Sequence, residues 1–330
     1  MKIINRGVGV LVATVLAGAL GACGGGGDSA GGGGPSSDPY VLFATDLSSG
    51  TIAAFTTLDP SAGQSLTAHI VKTQEGGTGI AYDAVHDDLY ALRVDAHLTA
   101  TTIDVFAHAS TMASGAAPSR SIQVPGFRVG VDASIALDTT RDELWVGGST
   151  DSTGNDLGRL AVVAHASSAN GSVTPSRDIG GLPNFATFAL DRLHAVLYLG
   201  GGGGGPHGIY VYENASALVT GTPLTRTING VDGRAPALMA VDEQRDILYV
   251  PDSTAGLGVV RNASTATQTV ARLAVPCLTV AVDSAHDRVY VGAFSNAYVF
   301  DDASTLTSSS TVPAVAVQAA GASIYSFAFP

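Results

Sequence analysis

Five stretches of the chain repeat one order of apolar and polar positions. Ile135-Ala136-Leu137-Asp138 runs through a polar turn into Glu143-Leu144-Trp145-Val146-Gly147. The same places hold Ile80-Ala81-Tyr82-Asp83 with Leu89-Tyr90, and Phe188-Ala189-Leu190-Asp191 with Leu197-Tyr198. They recur as Met239-Ala240-Val241-Asp242 with Leu248-Tyr249, and as Val280-Ala281-Val282-Asp283 with Val289-Tyr290. In every copy the aromatic stands seven positions after the aspartate. A second shared segment follows each aromatic, as in Ile103-Asp104-Val105-Phe106-Ala107-His108-Ala109-Ser110-Thr111. A third appears as Pro118-Ser119-Arg120-Ser121-Ile122 and Pro175-Ser176-Arg177-Asp178-Ile179, and more loosely around Arg226-Thr227-Ile228.

These segments alternate or run apolar over a few residues. They are rich in β-branched and aromatic side chains and are bounded by Gly, Asp, Ser and Asn, which is strand chemistry. After residue 40 no helical period of useful length appears. Each unit therefore reads as four strands. Successive aspartates are 55, 53, 51 and 41 residues apart, near the propeller period of roughly 40–50 residues. The chain begins with Tyr40-Val41-Leu42-Phe43-Ala44, Thr51-Ile52-Ala53-Ala54-Phe55 and Leu66-Thr67-Ala68-His69-Ile70, which look like strands two to four of a blade. It ends with Ile324-Tyr325-Ser326-Phe327-Ala328-Phe329, which looks like a first strand. The expectation is an all-β, six-bladed β-propeller over residues 39–330, its closing blade shared by the two ends.

Phe43-Ala44-Thr45-Asp46-Leu47-Ser48-Ser49-Gly50-Thr51-Ile52 and Leu248-Tyr249-Val250-Pro251-Asp252-Ser253 resemble NHL and YVTN β-propeller repeats. That resemblance implies the fold over nearly all of residues 40–330. It implies little about function, because such propellers host binding, scaffolding and hydrolytic roles alike.

The first residues have another character. Lys2 and Arg6 precede an apolar run from Val8 to Leu20, which is short for a span of about 20 residues. A charged start, an apolar middle and small residues before a cut make a secretory signal, here residues 1–22. Leu20-Gly21-Ala22-Cys23 resembles the bacterial lipobox. The resemblance implies that Cys23 carries diacylglycerol and that the chain is anchored in the cell envelope. Gly24 after the cysteine implies the outer membrane. From Gly24 to Asp38 the residues are nearly all Gly, Ser, Pro and Asp, a composition suited to a flexible tether.

Without Lys2 and Arg6, 14 basic residues remain against 28 acidic ones, a net charge of −14. So acidic a chain repels phosphate backbones, and nucleic acid is excluded as a partner. Lys72 is then the one lysine. With Cys23 lipidated, Cys277 alone is left and reads as a small buried apolar residue.

The acid pairs Asp83/Asp87, Asp138/Asp142, Asp242/Asp246 and Asp283/Asp287 recur with the repeat, so they read as turn makers rather than catalytic dyads. Histidines His86, His194 and His286 occupy matching turns, and His108 and His165 a matching segment. Equivalent positions in different blades cannot share one metal, so no metal and no cofactor is expected. Gly200 to Gly205 lacks the Lys-Ser/Thr of a phosphate loop, and no Gly-x-Ser-x-Gly elbow is present. Glu75-Gly76-Gly77 before Ile80 is similar to the Glu-Gly-Pro segment of calcium-dependent lactonases of the gluconolactonase and regucalcin kind, but displaced and lacking the proline. The reading is a non-catalytic module that binds or scaffolds through one face, with such a lactonase as the alternative. Loops before first strands and between second and third strands share that face. Their polar candidates are Arg128, Asp132, Asn184, His207, Asp232, Arg234 and Asp252. A protein, a glycan or a small molecule could be the ligand.

Overall fold

The computed structural model describes residues 42–46, 51–55, 69–72, 79–93, 100–112, 115–128, 133–148, 158–201, 208–231, 238–252, 256–269, 271–293, 296–313, 317–318 and 326–328. All belong to one compact unit, Pro39–Pro330.

The described chain is β structure joined by turns. It begins with β1 (Leu42–Asp46), β2 (Thr51–Phe55) and β3 (His69–Lys72). Next come β4 (Ile80–Asp83), β5 (Asp88–Arg93), β6 (Ala100–Ala107) and β7 (Arg120–Pro125). The third group is β8 (Ser134–Asp138), β9 (Glu143–Gly148), β10 (Gly158–Ala164), the short β11 (Gly171–Ser172) and β12 (Arg177–Leu182). The fourth is β13 (Phe185–Asp191), β14 (Val196–Gly201), β15 (Ile209–Glu213) and β16 (Arg226–Ile228). The fifth is β17 (Ala240–Asp242), β18 (Ile247–Asp252), β19 (Gly256–Arg261) and β20 (Ala271–Leu273). The last are β21 (Thr279–Asp283), β22 (Arg288–Ala293), β23 (Asn296–Phe300), β24 (Val317–Gln318) and finally β25 (Ser326–Ala328).

These strands hydrogen-bond into six sheets. Five take their main strands from one consecutive stretch each; the sixth is composite, in the order β25-β1-β2-β3. In that sheet Phe43 faces Ala328, Ala44 faces Phe327 and Thr45 faces Ser326, so the C-terminal strand pairs with the first one. The innermost strands touch in sequence: β4 with β8, β8 with β13, β13 with β17, β17 with β21, β21 with β25, and β25 with β4. This closed circuit is a β-propeller arrangement. Each innermost strand carries an alanine at the matching place: Ala81, Ala136, Ala189, Ala240, Ala281 and Ala328. Small side chains suit the place where the sheets converge.

The core lies between neighbouring sheets, because side chains alternate along each strand. Leu144 and Val146 of β9 pack with Tyr90 and Ile103 of the preceding sheet. Trp145, between them, packs with Leu197 and Tyr210 of the following one. Trp145, Tyr90, Tyr198, Tyr249 and Tyr290, the aromatics of the repeat, are among the largest fully buried side chains. Burying one such ring stabilises by about 1.5–3 kcal/mol.

Two details depart from the sequence reading. Ala109–Thr111 forms a short 3-10 turn rather than the end of a strand, and Ala215–Ala217 and Ala303–Thr305 do the same. The residue before each turn is left-handed: His108 at φ 56°, Asn214 at 55° and Asp302 at 51°. A strand cannot continue through that conformation. Secondly, β11 adds in parallel to β7, Gly171 facing Ile122, and so becomes a fifth strand of the preceding unit's sheet. The described part of β3 is His69–Lys72, and the expected start at Leu66 lies outside the described residues.

Candidate functional site

The two rims of the ring differ. On one, the turns from first to second strand are built alike. Residues 84–87, 139–142, 192–195, 243–246 and 284–287 each join their strands with four residues. The aspartate that opens the turn is buried in all five. Its Oδ1 accepts backbone N–H groups: Val85 N at 2.9 Å on Asp83, Thr140 N at 3.1 Å on Asp138, His194 N at 2.9 Å on Asp191. Its Oδ2 meets the side chain three positions on. The partners are His86 Nδ1 at 2.7 Å, Arg141 Nη1 at 2.8 Å, His194 Nδ1 at 2.9 Å, Arg245 Nη1 at 3.0 Å and His286 Nδ1 at 2.7 Å.

The residue closing the turn is left-handed in every copy: Asp87, Asp142, Ala195, Asp246 and Asp287, with φ from 52° to 56°. Where it is aspartate, its carboxylate reaches the next hairpin and accepts both N–H and Oγ–H of one serine. Ser110, Ser167, Ser264 and Ser304 are those serines, all at 2.6–2.9 Å. These second acids, read from sequence as turn makers, thus also bridge two turns of their sheet.

Among the described residues, arginines tie four of the sheets to the next. Arg120 donates to Ser167 O at 3.0 Å, and Arg177 to Ala215 O and Ser216 O at 3.0 Å each. Arg226 donates to Ala266 O at 3.0 Å and Ala263 O at 2.9 Å. In the β17–β20 sheet the same task falls to Arg261 of β19, which donates to Ser304 O at 2.7 Å and Leu306 O at 2.8 Å. The Arg177 guanidinium also lies 4.6 Å from the Trp145 ring centroid. Nearer the axis, Arg192 spans three turns, donating to Glu243 Oε1 at 2.8 Å and to Thr139 Oγ1 at 3.3 Å.

The electrostatics follow this wiring. His86 is raised above its ordinary value, first by its hydrogen bond to Asp83 and then by that carboxylate's charge. His194 is raised likewise by its hydrogen bond to Asp191. Burial pushes Asp191 up, and its bonds from His194 oppose this only in part. Asp87 also resists burial, but Ser110 and the Tyr82 hydroxyl bring it below the usual carboxylate range. Among the described residues, one group could gather a metal ion: Asp191, His194 and Asp246. Sequence reasoning had set His194 aside because matching positions of different blades lie apart. The neighbour it meets is a different position, the turn-closing Asp246 of the following sheet.

Three of the candidates read from sequence are described, each at a strand end on the other rim. Arg128 follows β7 and is exposed, and Asn184 is half-buried between β12 and β13. Asp252, at the end of β18, is buried. It pairs with Gly256 in the β18–β19 ladder, and Arg272 Nη1 lies 4.0 Å away. Beside it Cys277 is buried, its thiol pushed up by desolvation and then by the Asp252 charge. Arg128, Asn184 and Asp252 follow or end strands of three different sheets. Asp132, His207, Asp232 and Arg234, with Glu75 and Cys23, lie outside the described residues.

No protein family matches the chain, and no curated protein does. Likeness is found among solved structures. A functionally unknown protein from Desulfotomaculum acetoxidans superposes with a TM-score of 0.55 at 10% identity, covering 88% of this chain and 85% of its own. This is a likeness of fold. A luciferin-regenerating enzyme superposes with a TM-score of 0.46 at 13% identity, covering 77% of this chain and 83% of its own.

Proposed function

We propose that the chain is a binding or scaffolding β-propeller of NHL/YVTN type, lipid-anchored in a bacterial envelope, that holds its partner on the rim of unequal loops. In this reading the six sheets are six four-stranded blades, the closing one shared by both ends. The observation that carries it is a contrast between the rims. First-to-second-strand turns are four residues long in all five complete copies. Second-to-third connections differ: they occupy 47–50, 94–99, 149–157, 202–208, 253–255 and 294–295. A framework held constant on one side and varied on the other is how scaffolds present recognition loops. The acids and arginines of the constant rim are engaged in holding turns and sheets together, which is a structural task. Lipidation at Cys23, the Gly-rich tether of residues 24–38 and placement in the outer membrane complete the proposal. The partner is a protein, a glycan or a small molecule, and the net charge of −12 disfavours nucleic acid.

The test is site-specific photocrosslinking in envelopes of the producing cell. Probes replace Arg128 and Asn184 on the variable rim and Val85 and Leu193 on the constant rim. Defined adducts from the variable rim alone support the reading. Adducts from the constant rim alone, or calcium-dependent lactone hydrolysis by the purified chain, overturn it. Cys23→Ala should release the protein from the membrane fraction or leave its precursor uncut, since stable anchoring takes more than one acyl chain.

A further inference from the structure

In the β17–β20 sheet the guanidinium of Arg245 stands between carboxylates of two neighbouring sheets. Its Nη1 is 3.0 Å from Asp242 Oδ2 and its Nε 3.6 Å from Asp287 Oδ1. One sheet earlier, the matching place holds His194 between Asp191 and Asp246. One ligand atom from each of these three lies within 4.8 Å of the others. The arginine of that turn, Arg192, is engaged with Glu243 and Thr139.

The Tyr198 hydroxyl of this sheet is fully buried without a hydrogen-bond partner, as is the matching hydroxyl of Tyr249 in the sheet of Arg245. The matching hydroxyl of Tyr90 donates to Ala166 O at 3.1 Å. Burial first, and then the charges of Asp191 and Asp246, hold the Tyr198 hydroxyl in its neutral form.

We propose that Asp191, His194 and Asp246 bind one divalent transition cation of the zinc type, on the rim opposite the variable loops. One imidazole nitrogen and two carboxylate oxygens are a borderline donor set that zinc accepts, leaving a position for water. Calcium and magnesium favour oxygen donors alone. The ligands are oriented in advance. Asp191 Oδ1 is fixed by the His194 N–H at 2.9 Å. Asp246 is fixed by Ser264 N at 2.8 Å and Ser264 Oγ at 2.7 Å. Bonds of this kind to first ligands sustain affinity. The cation would do for β13–β14 what the Arg245 guanidinium does for β17–β18: neutralise two acids from adjoining sheets and join them.

The test is calorimetric titration of the tag-free full chain with zinc chloride at about pH 7.5, where the ligands can shed protons, with a thermal-shift series alongside. The parent should bind zinc saturably and melt higher with it. His194→Arg should fold, because arginine occupies this place in the turns at Arg141 and Arg245. It should lose one equivalent of zinc, whereas His86→Arg should retain the parent stoichiometry. A parent without saturable zinc binding, or a His194→Arg variant with the parent stoichiometry, overturns the proposal.

Discussion

Asp246 and Ser264 form a two-point clasp: one carboxylate oxygen accepts the serine N–H at 2.8 Å and the other its Oγ–H at 2.7 Å. Four sheets carry this clasp. The β13–β16 sheet lacks it, because Ala195 stands where the others have aspartate. The backbone bond beneath survives there, with Ala215 N on Ala195 O at 2.8 Å. Ala195 nevertheless keeps φ at 55°, a conformation that costs an ordinary L-residue about 1–2 kcal/mol and that aspartate tolerates better.

Ala195→Asp should therefore stabilise the protein by about 1 kcal/mol, by relieving strain and adding the clasp to Ser216. Asp142→Ala should do the reverse and remove about 1–3 kcal/mol, leaving the Ser167 groups without their partner. Denaturant melts with an unchanged slope would check both.

Arg226 should be intolerant of a charge-conserving change. Its planar fork spans Ala263 O, Ser264 O and Ala266 O, all in the following sheet. An ammonium cannot reach them together. Arg226→Lys should lower stability by about 2 kcal/mol. Hydrogen exchange should quicken at Thr265 and Ala266, whose amides close the turn that these carbonyls belong to.

The His86–Asp83 contact should make stability depend on pH. The folded histidine titrates above 6.5, raised by its bond to Asp83. Its contribution is thus fully present below the unfolded value and fades as pH rises through the folded one. The melting temperature of the parent relative to His86→Gln should be highest at or below pH 6.5 and converge in alkali. A difference that grows with pH would contradict this assignment.

Removing residues 324–330 deletes β25 and uncovers the inner edge of β1. The truncated chain should lose about 3 kcal/mol or more, since a missing strand removes both packing and ladder bonds. Exchange should rise first at Phe43 and Thr45, which face that strand.

What could be read from the residues follows distance along the chain. An aspartate and an aromatic seven positions apart are joined by local geometry, so the hairpins and their turns were legible. The pairing of the two ends was legible too, because a lone first strand and a blade without one fit each other. Asp87 with Ser110 was not: the two stand 23 positions apart and meet only after two strands fold back. Arg226 with Ala266, and His194 with Asp246, belong to adjoining sheets, a relation that one repeat cannot display. Gly171-Ser172 has no strand signature at all, and β11 exists because β7 offers it an edge. The strand end of Asp252 was legible, but its ladder partner Gly256 and the neighbouring Arg272 were not.

The sheet made from both ends also sets a schedule. As the chain is synthesised, β1 emerges some 280 residues before the strand that covers its inner edge. At about 5–20 residues per second that is an interval of roughly 15–60 s. Throughout it, the backbone groups of Phe43 and Thr45 face outward without their final partner, the condition in which strands recruit one another between molecules. A chaperone that shields residues 42–46 during that interval should raise the yield of folded protein, and one that arrives after release should not.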